Sequence, residues 1–357
     1  MAYLAKPCVG LGLLSIVLLL PATAGACAVP VHRYLLVRWE RELYQAYYFY
    51  RGEQGMADRQ VNEFLENVAS SFESHVNLSF RSVDVDGLAD NPLLGRELEI
   101  WNEHKLDKLP FHLVLSPIGN SLFRGRLDLA TASAMIESPA RTQLARQLCT
   151  GKGGVLLLLT GDDKKENETA EKDVRWVLGR AKKEHGLDVG FLRVSRKNPR
   201  EKWLIRSLLD SGGIPPDDMQ CVVFGICGRG RVLAGCIGEG INRRNIIECV
   251  YLMNGDCSCD LRFAGPGMDL LTDWDWEGAI ADLPLMTEEP LRSVLLGFDD
   301  SDEGSPATPS QEEGMPRNVS RSVLRTRSFA RWGVAFGIAS VVVVGIGLMI
   351  FIRRKEV

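Results

Sequence analysis

Apolar periodicity gives the same order of elements twice along this chain, and that repetition limits the possible folds more than any other feature. The aromatic run Tyr44 to Tyr50 is rich in strand formers and too short for a helix. A turn at Arg51-Gly52-Glu53-Gln54-Gly55 leads to a helix from about Asp58 to Phe72, with Val61, Phe64, Leu65 and Val68 at helical spacing. Val76 to Val85 alternates as a second strand, and Asn91-Pro92 opens a helix to about Asn102. Strands at Phe111 to Leu115 and Leu122 to Arg126 follow, then a helix capped by Asp128 and reaching Ile136. The second half repeats the order with strands at Val155 to Leu159 and Val189 to Val194 and helices at Asn167 to His185 and from Asn198-Pro199 to Asp210. A hairpin, Cys221 to Ile226 and Val232 to Ile237, turns at Gly228-Arg229-Gly230-Arg231, and a helix from Asn242 to Met253 closes the copy. Ser138-Pro139 caps a connecting helix that ends at Cys149, so the boundary between halves falls near residue 151.

Strand, helix, strand, helix, proline-led strand, hairpin, strand and helix is an order that resembles the thioredoxin fold, in which a cis-proline introduces the third core strand. Pro110 stands where that proline would be. The resemblance implies an α/β chain of two tandem thioredoxin-like domains, each a central mixed sheet flanked by helices, over 27–150 and 151–280. It also implies where a dithiol would sit, at the start of the first helix, where the helix N-terminus lowers a thiol pKa. Those positions are Arg51 to Met56 and Gly161 to Lys165, and neither holds a cysteine. In the second copy Met219-Gln220 replaces the proline. Redox activity of the thioredoxin type is therefore not expected. The segments Phe224 to Ile241 and Gly255 to Trp276 also resemble an uncharacterised family of membrane-anchored proteins of planctomycete-type bacteria, a resemblance that implies no activity.

The ends set an expected address. Lys6, the apolar stretch Val9 to Leu20 and Ala24-Gly25-Ala26 read as a signal peptide over 1–26. The uncharged run Trp332 to Ile352 is long enough to cross a bilayer as one helix, followed by a short basic tail over 353–357. The expected arrangement is a single-pass cell-membrane protein, its bulk extracytoplasmic and its C-terminus cytoplasmic, although five arginines precede the span. Residues 281–331 read as a flexible linker, acidic and then basic. Cys27 after Ala24-Gly25-Ala26 also permits a lipoprotein reading in which that thiol is acylated. Gly333 and Gly337 form a G-x-x-x-G that would favour a homo-oligomer through the span. A net charge of −4 argues against a nucleic-acid partner.

Chemistry is less legible. Six cysteines, Cys221, Cys227, Cys236, Cys249, Cys257 and Cys259, crowd the second half, and in an oxidising compartment that density suggests disulfides. Cys257-Ser258-Cys259 supplies the rival reading of a thiol oxidoreductase; the plainer reading is that one of the two pins the loop to Cys249 or to a hairpin cysteine. All five histidines precede this cluster, so no metal site or cofactor is expected. The hairpin Phe224 to Arg231 has the glycines and arginines of a phosphate loop but joins two strands, which leaves Arg229 or Arg231 as an exposed partner contact. Trp274 and Trp276 would suit a peptide- or glycan-binding edge, or else pack on the domain they leave. No nucleophile, base and orienter assemble from the sequence. The reading that follows is a non-catalytic binding or scaffolding subunit of an envelope complex, with an envelope protein as its partner.

Overall fold

The computed structural model describes residues 29–255, apart from 72, 89–90, 92–93 and 106–107, together with residues 267–281. The expected signal peptide, Cys27, Cys257, Cys259, the linker and the expected span lie outside these residues. Among the described residues no helix is long and apolar enough to cross a membrane.

The first sheet has the order β2-β1-β3-β4. Its centre is β1 (Tyr44–Tyr50), parallel to β2 (Leu78–Asp84) and antiparallel to β3 (Phe111–Leu115), which pairs in turn with β4 (Ser121–Gly125). The aromatic run can be central because it is buried on both faces. Tyr44 and Ala46 pack with Val61 and Leu65 of α2 (Met56–Ser70) and with Ala132 and Met135 of α4 (Leu129–Ile136). Tyr47 and Phe49 face the other way, and Phe49 meets Trp101 of α3 (Gly95–His104) and Phe111 with ring centroids 5.4 Å apart. Burying aromatics of this size contributes most of the local stability. The Leu109-Pro110 peptide bond is cis.

The second sheet has the order β6-β5-β7-β8-β9. Its centre is β5 (Val155–Thr160), a continuous apolar run buried along its whole length, as a strand covered on both faces should be. It is parallel to β6 (Gly190–Ser195) and antiparallel to β7 (Val222–Cys227), which forms the expected hairpin with β8 (Arg231–Ile237). Leu156 and Leu158 face α6 (Lys164–His185) and α8 (Arg243–Asn254). Leu157 and Leu159 face α5 (Pro139–Leu148) and α7 (Lys202–Ser211). Helix ends follow their capping signals: Asp163 accepts from Lys165 N and Glu166 N at the start of α6, and Gly186 ends it in the left-handed region at φ 66°.

Three features differ from the sequence expectation. Residues expected to lead plainly into the first strand form a helix, α1 (Val31–Val37), whose Val31 and Leu35 are buried in the second half's core. Helix α5, expected to close the first half, buries Ala140, Leu144, Ala145 and Leu148 against the second sheet. The last described segment is a seam. β9 (Met268–Asp269) adds to β8, Leu271 enters the first half's core, Asp273 bridges to Val76, and α9 (Trp276–Ile280) returns Trp276 to the second core.

Candidate functional site

In each half the start of the first long helix is held by a polar cluster, and in the second half an open cleft lies beside it. In the first half, β1 ends at Tyr50 and the chain turns through Gly52, at φ 71°, into α2. Asp58 lies in the first turn of α2 with its side chain only 2% exposed. Arg126, just beyond β4, meets it with two parallel bonds, Nε to Oδ1 at 2.9 Å and Nη2 to Oδ2 at 2.7 Å. Such a bidentate pair fixes both side chains in orientation as well as charge. Beneath it, His112 Nδ1 accepts from Leu127 N at 3.2 Å, so its Nε2–H donates to Asn62 Oδ1 at 3.0 Å. Asn62 donates to Gln54 Oε1 at 3.0 Å, and Gln54 donates to Ser82 Oγ at 3.1 Å. Burial pushes His112 down to about 4, so it is neutral near pH 7 with both ring nitrogens engaged. Burial, with the Asp58 charge next in weight, pushes the Tyr48 hydroxyl up. With His112 neutral and both of its ring nitrogens engaged, this part of the network holds shape.

In the second half the corresponding turn is Gly161-Asp162-Asp163. Asn167 clamps it, accepting from Gly161 N at 2.8 Å and donating to Gly161 O at 3.0 Å. Only glycine fits at 161, because a Cβ there would lie 2.2 Å from Met219 O. Arg196 donates to the carbonyls of Asp218 and Gln220, fixing the loop that stands where the first half has its cis-proline. Between loop and helix is an open cavity of about 510 Å³ lined by Asp163, Glu166, Gln220, Cys221, Glu239 and Ile241 among others. Cys221 is pushed up to about 12 by burial first and by Glu166 second, which keeps it a thiol and a poor nucleophile.

The four residues that the sequence nominated for partner binding gather at the seam instead. Arg231, expected to be exposed, has a side chain 1% exposed and pairs with Asp269 at 3.0 Å and Glu42 at 3.1 Å. Its guanidinium carbon lies 4.5 Å from the centre of the Trp39 ring, a cation–π contact. Arg229 donates to Leu36 O at 2.8 Å and to Glu277 Oε1 at 2.6 Å, holding α1 to α9. Trp276 is fully buried and donates to Thr272 Oγ1 at 3.4 Å, so it packs on the fold and cannot form an exposed edge. Trp274 is half-buried and lines a smaller cleft of about 250 Å³ with Arg200 and Asp273. The acids that neutralise the hairpin arginines come from distant segments, Glu42 and Asp269 for Arg231 and Glu277 for Arg229, and only the tertiary fold brings them together.

The described cysteines, Cys149, Cys221, Cys227, Cys236 and Cys249, are all free thiols. Among the described residues no group of three or more His, Cys, Asp or Glu side chains is placed to hold a metal ion. Sequence reasoning missed the Asp58–Arg126 pair. Its one local signal was an acid in the first turn of a helix that lacks a side-chain cap, for Gly55 occupies the N-cap.

The fold defines an α/β protein of two mixed sheets flanked by helices. No family model and no curated protein matches the chain. Among solved structures it is similar to the crystal structure of full-length ERdj5, at 9% identity and a TM-score of 0.20, over 63% of this chain and 32% of that one. The chain thus spans about a third of the length of that protein.

Proposed function

We propose that this chain is a non-catalytic binding or scaffolding protein built on two thioredoxin-like domains, tethered to a membrane by the run Trp332 to Ile352, with its bulk extracytoplasmic. The strand order β2-β1-β3-β4 and the cis Leu109-Pro110 bond support the domain assignment. The observation that carries the binding reading is the Asp58–Arg126 pair, which occupies the start of α2 where a dithiol protein of this architecture would carry its cysteines. The second half's cleft supports it in the same way, since Asp163 and Glu166 stand at the start of α6 and the nearest thiol, Cys221, is held protonated. A closed ion pair at one helix start and a cleft with three acids at the other suit a protein that holds a partner in place rather than one that exchanges thiols. The partner class that fits is another envelope protein presenting an extended or basic segment to the second half's cleft.

The test is recovery of co-purifying envelope proteins after mild detergent extraction, comparing wild type with Glu239→Lys at the second half's cleft and Arg51→Glu in the turn before α2. Both positions are exposed, so the fold should survive. A defined partner that is lost from one charge reversal supports the reading. No partner, or the same set retained by both variants, counts against it. The thiol-oxidoreductase reading rests on Cys257 and Cys259 and is tested separately below.

A further inference from the structure

Cys236 lies on β8 and Cys249 on the second turn of α8, and their sulfur atoms are 3.8 Å apart. Among the described residues they are the one pair of thiols in contact. Both are nearly closed off from solvent, at 7% and 5% exposure, and both belong to the same apolar core cluster as Val250 and Met253. A disulfide requires the sulfurs to close from 3.8 Å to about 2.05 Å.

We propose that Cys236 and Cys249 are a disulfide-forming pair that staples β8 to α8. The link would enclose Ile237 to Glu248, which includes the Gly238–Gly240 turn and Ile241. Gly238, Glu239 and Ile241 form one wall of the second half's cleft, so the staple would fix the shape of that wall. The assignment also takes Cys249 away from Cys257 and Cys259, the partners that sequence spacing suggested for it. Oxidation proceeds by exchange with an external small-molecule disulfide. One cysteine, as thiolate, attacks the external disulfide and releases one small thiol, forming a mixed disulfide. The second cysteine attacks that bond and releases the other. Two protein thiols are oxidised and one external disulfide is reduced to two thiols. The inference does not depend on the binding reading, and either can fail alone.

The experiment takes the full-length protein through unfolding and refolding in a buffer of reduced and oxidised glutathione, so that burial does not block exchange. Remaining thiols are then alkylated and the unreduced protein is digested for mass mapping. The expected result is a linked peptide pair containing Cys236 and Cys249. A melting temperature roughly 5–10 °C above that of reduced protein should accompany it, and the linked pair should be absent from Cys236→Ser. Alkylation of both residues in refolded wild-type protein, or Cys249 linked to Cys257 or Cys259, would overturn the proposal.

Discussion

At the residue scale the decisive group is Arg231. A buried guanidinium is stable only while its carboxylates remain, because removing one partner leaves an uncompensated charge in a low-dielectric interior. Asp269→Ala should therefore cost about 3–5 kcal/mol in urea unfolding, whereas adding Arg231→Met to it should recover much of that loss. Burial raises the Asp269 carboxyl above its ordinary range while Arg231 pulls it back down, as expected for a buried acid held by one strong partner. Two histidines give a second prediction. His32 and His112 are both pushed down to about 4 by burial, from an ordinary value of 6.5. Between those limits the unfolded chain binds protons that the folded chain does not, so stability rises with pH. It is complete above about pH 6.5 and is lost as pH falls towards 4. Denaturant titrations at pH 7 and pH 4.5 should differ by a few kcal/mol, and His112→Gln should flatten part of that dependence. None of this was legible locally. Arginines in a Gly-Arg-Gly-Arg turn read as exposed because turns usually are, and the acids that bury one of them lie at residues 42 and 269.

At the scale of elements, the strands and long helices were legible because apolar spacing, caps and turn glycines agreed. The hairpin is the clearest case: the sequence places strands on either side of Gly228 to Arg231, and the ladder runs from Val222 to Cys227 against Arg231 to Ile237. Helix α1 was not legible. It has seven residues, an N-cap proline with no side-chain cap, and too few turns to show periodicity. Its place is set by close packing, for the Cβ of an alanine at 228 would lie 2.4 Å from the Leu35 Cβ, and Gly228 is also at φ 61°. Gly228→Ala should therefore push α1 off the sheet and destabilise the protein by about 2–4 kcal/mol. The specific sign of that displacement would be protease cleavage near Val31 to Val37 under native conditions, at sites protected in the wild type.

At the scale of the whole molecule, the repeated order predicted two similar halves, and two mixed sheets are found. What the order could not convey is how they are joined. Helices α1 and α5, both assigned to the first half by sequence position, are packed on the second sheet. Asn77 of the first half bonds to Glu42 O at 2.9 Å and Leu270 O at 3.2 Å and accepts from Thr272 N at 2.9 Å, while Arg41 donates to His75 O at 2.8 Å and to Thr272. A seam this polar and this enclosed couples the halves, so tryptophan fluorescence and far-ultraviolet circular dichroism should report one coincident unfolding transition. Asn77→Ala should separate them into two. The helix starts were half legible: the sequence showed the missing cysteines at both but not the Asp58–Arg126 pair, whose members are 68 positions apart. The central claim is that the two helix starts bind a partner rather than exchange thiols. The most direct measurement is the rate at which the full-length protein reduces or rearranges a reporter peptide disulfide in glutathione buffer. The expected rate is the uncatalysed background, identical for wild type and for the double variant Cys257→Ser, Cys259→Ser. Turnover above background in wild type that disappears in the double variant would contradict the claim and identify an oxidoreductase.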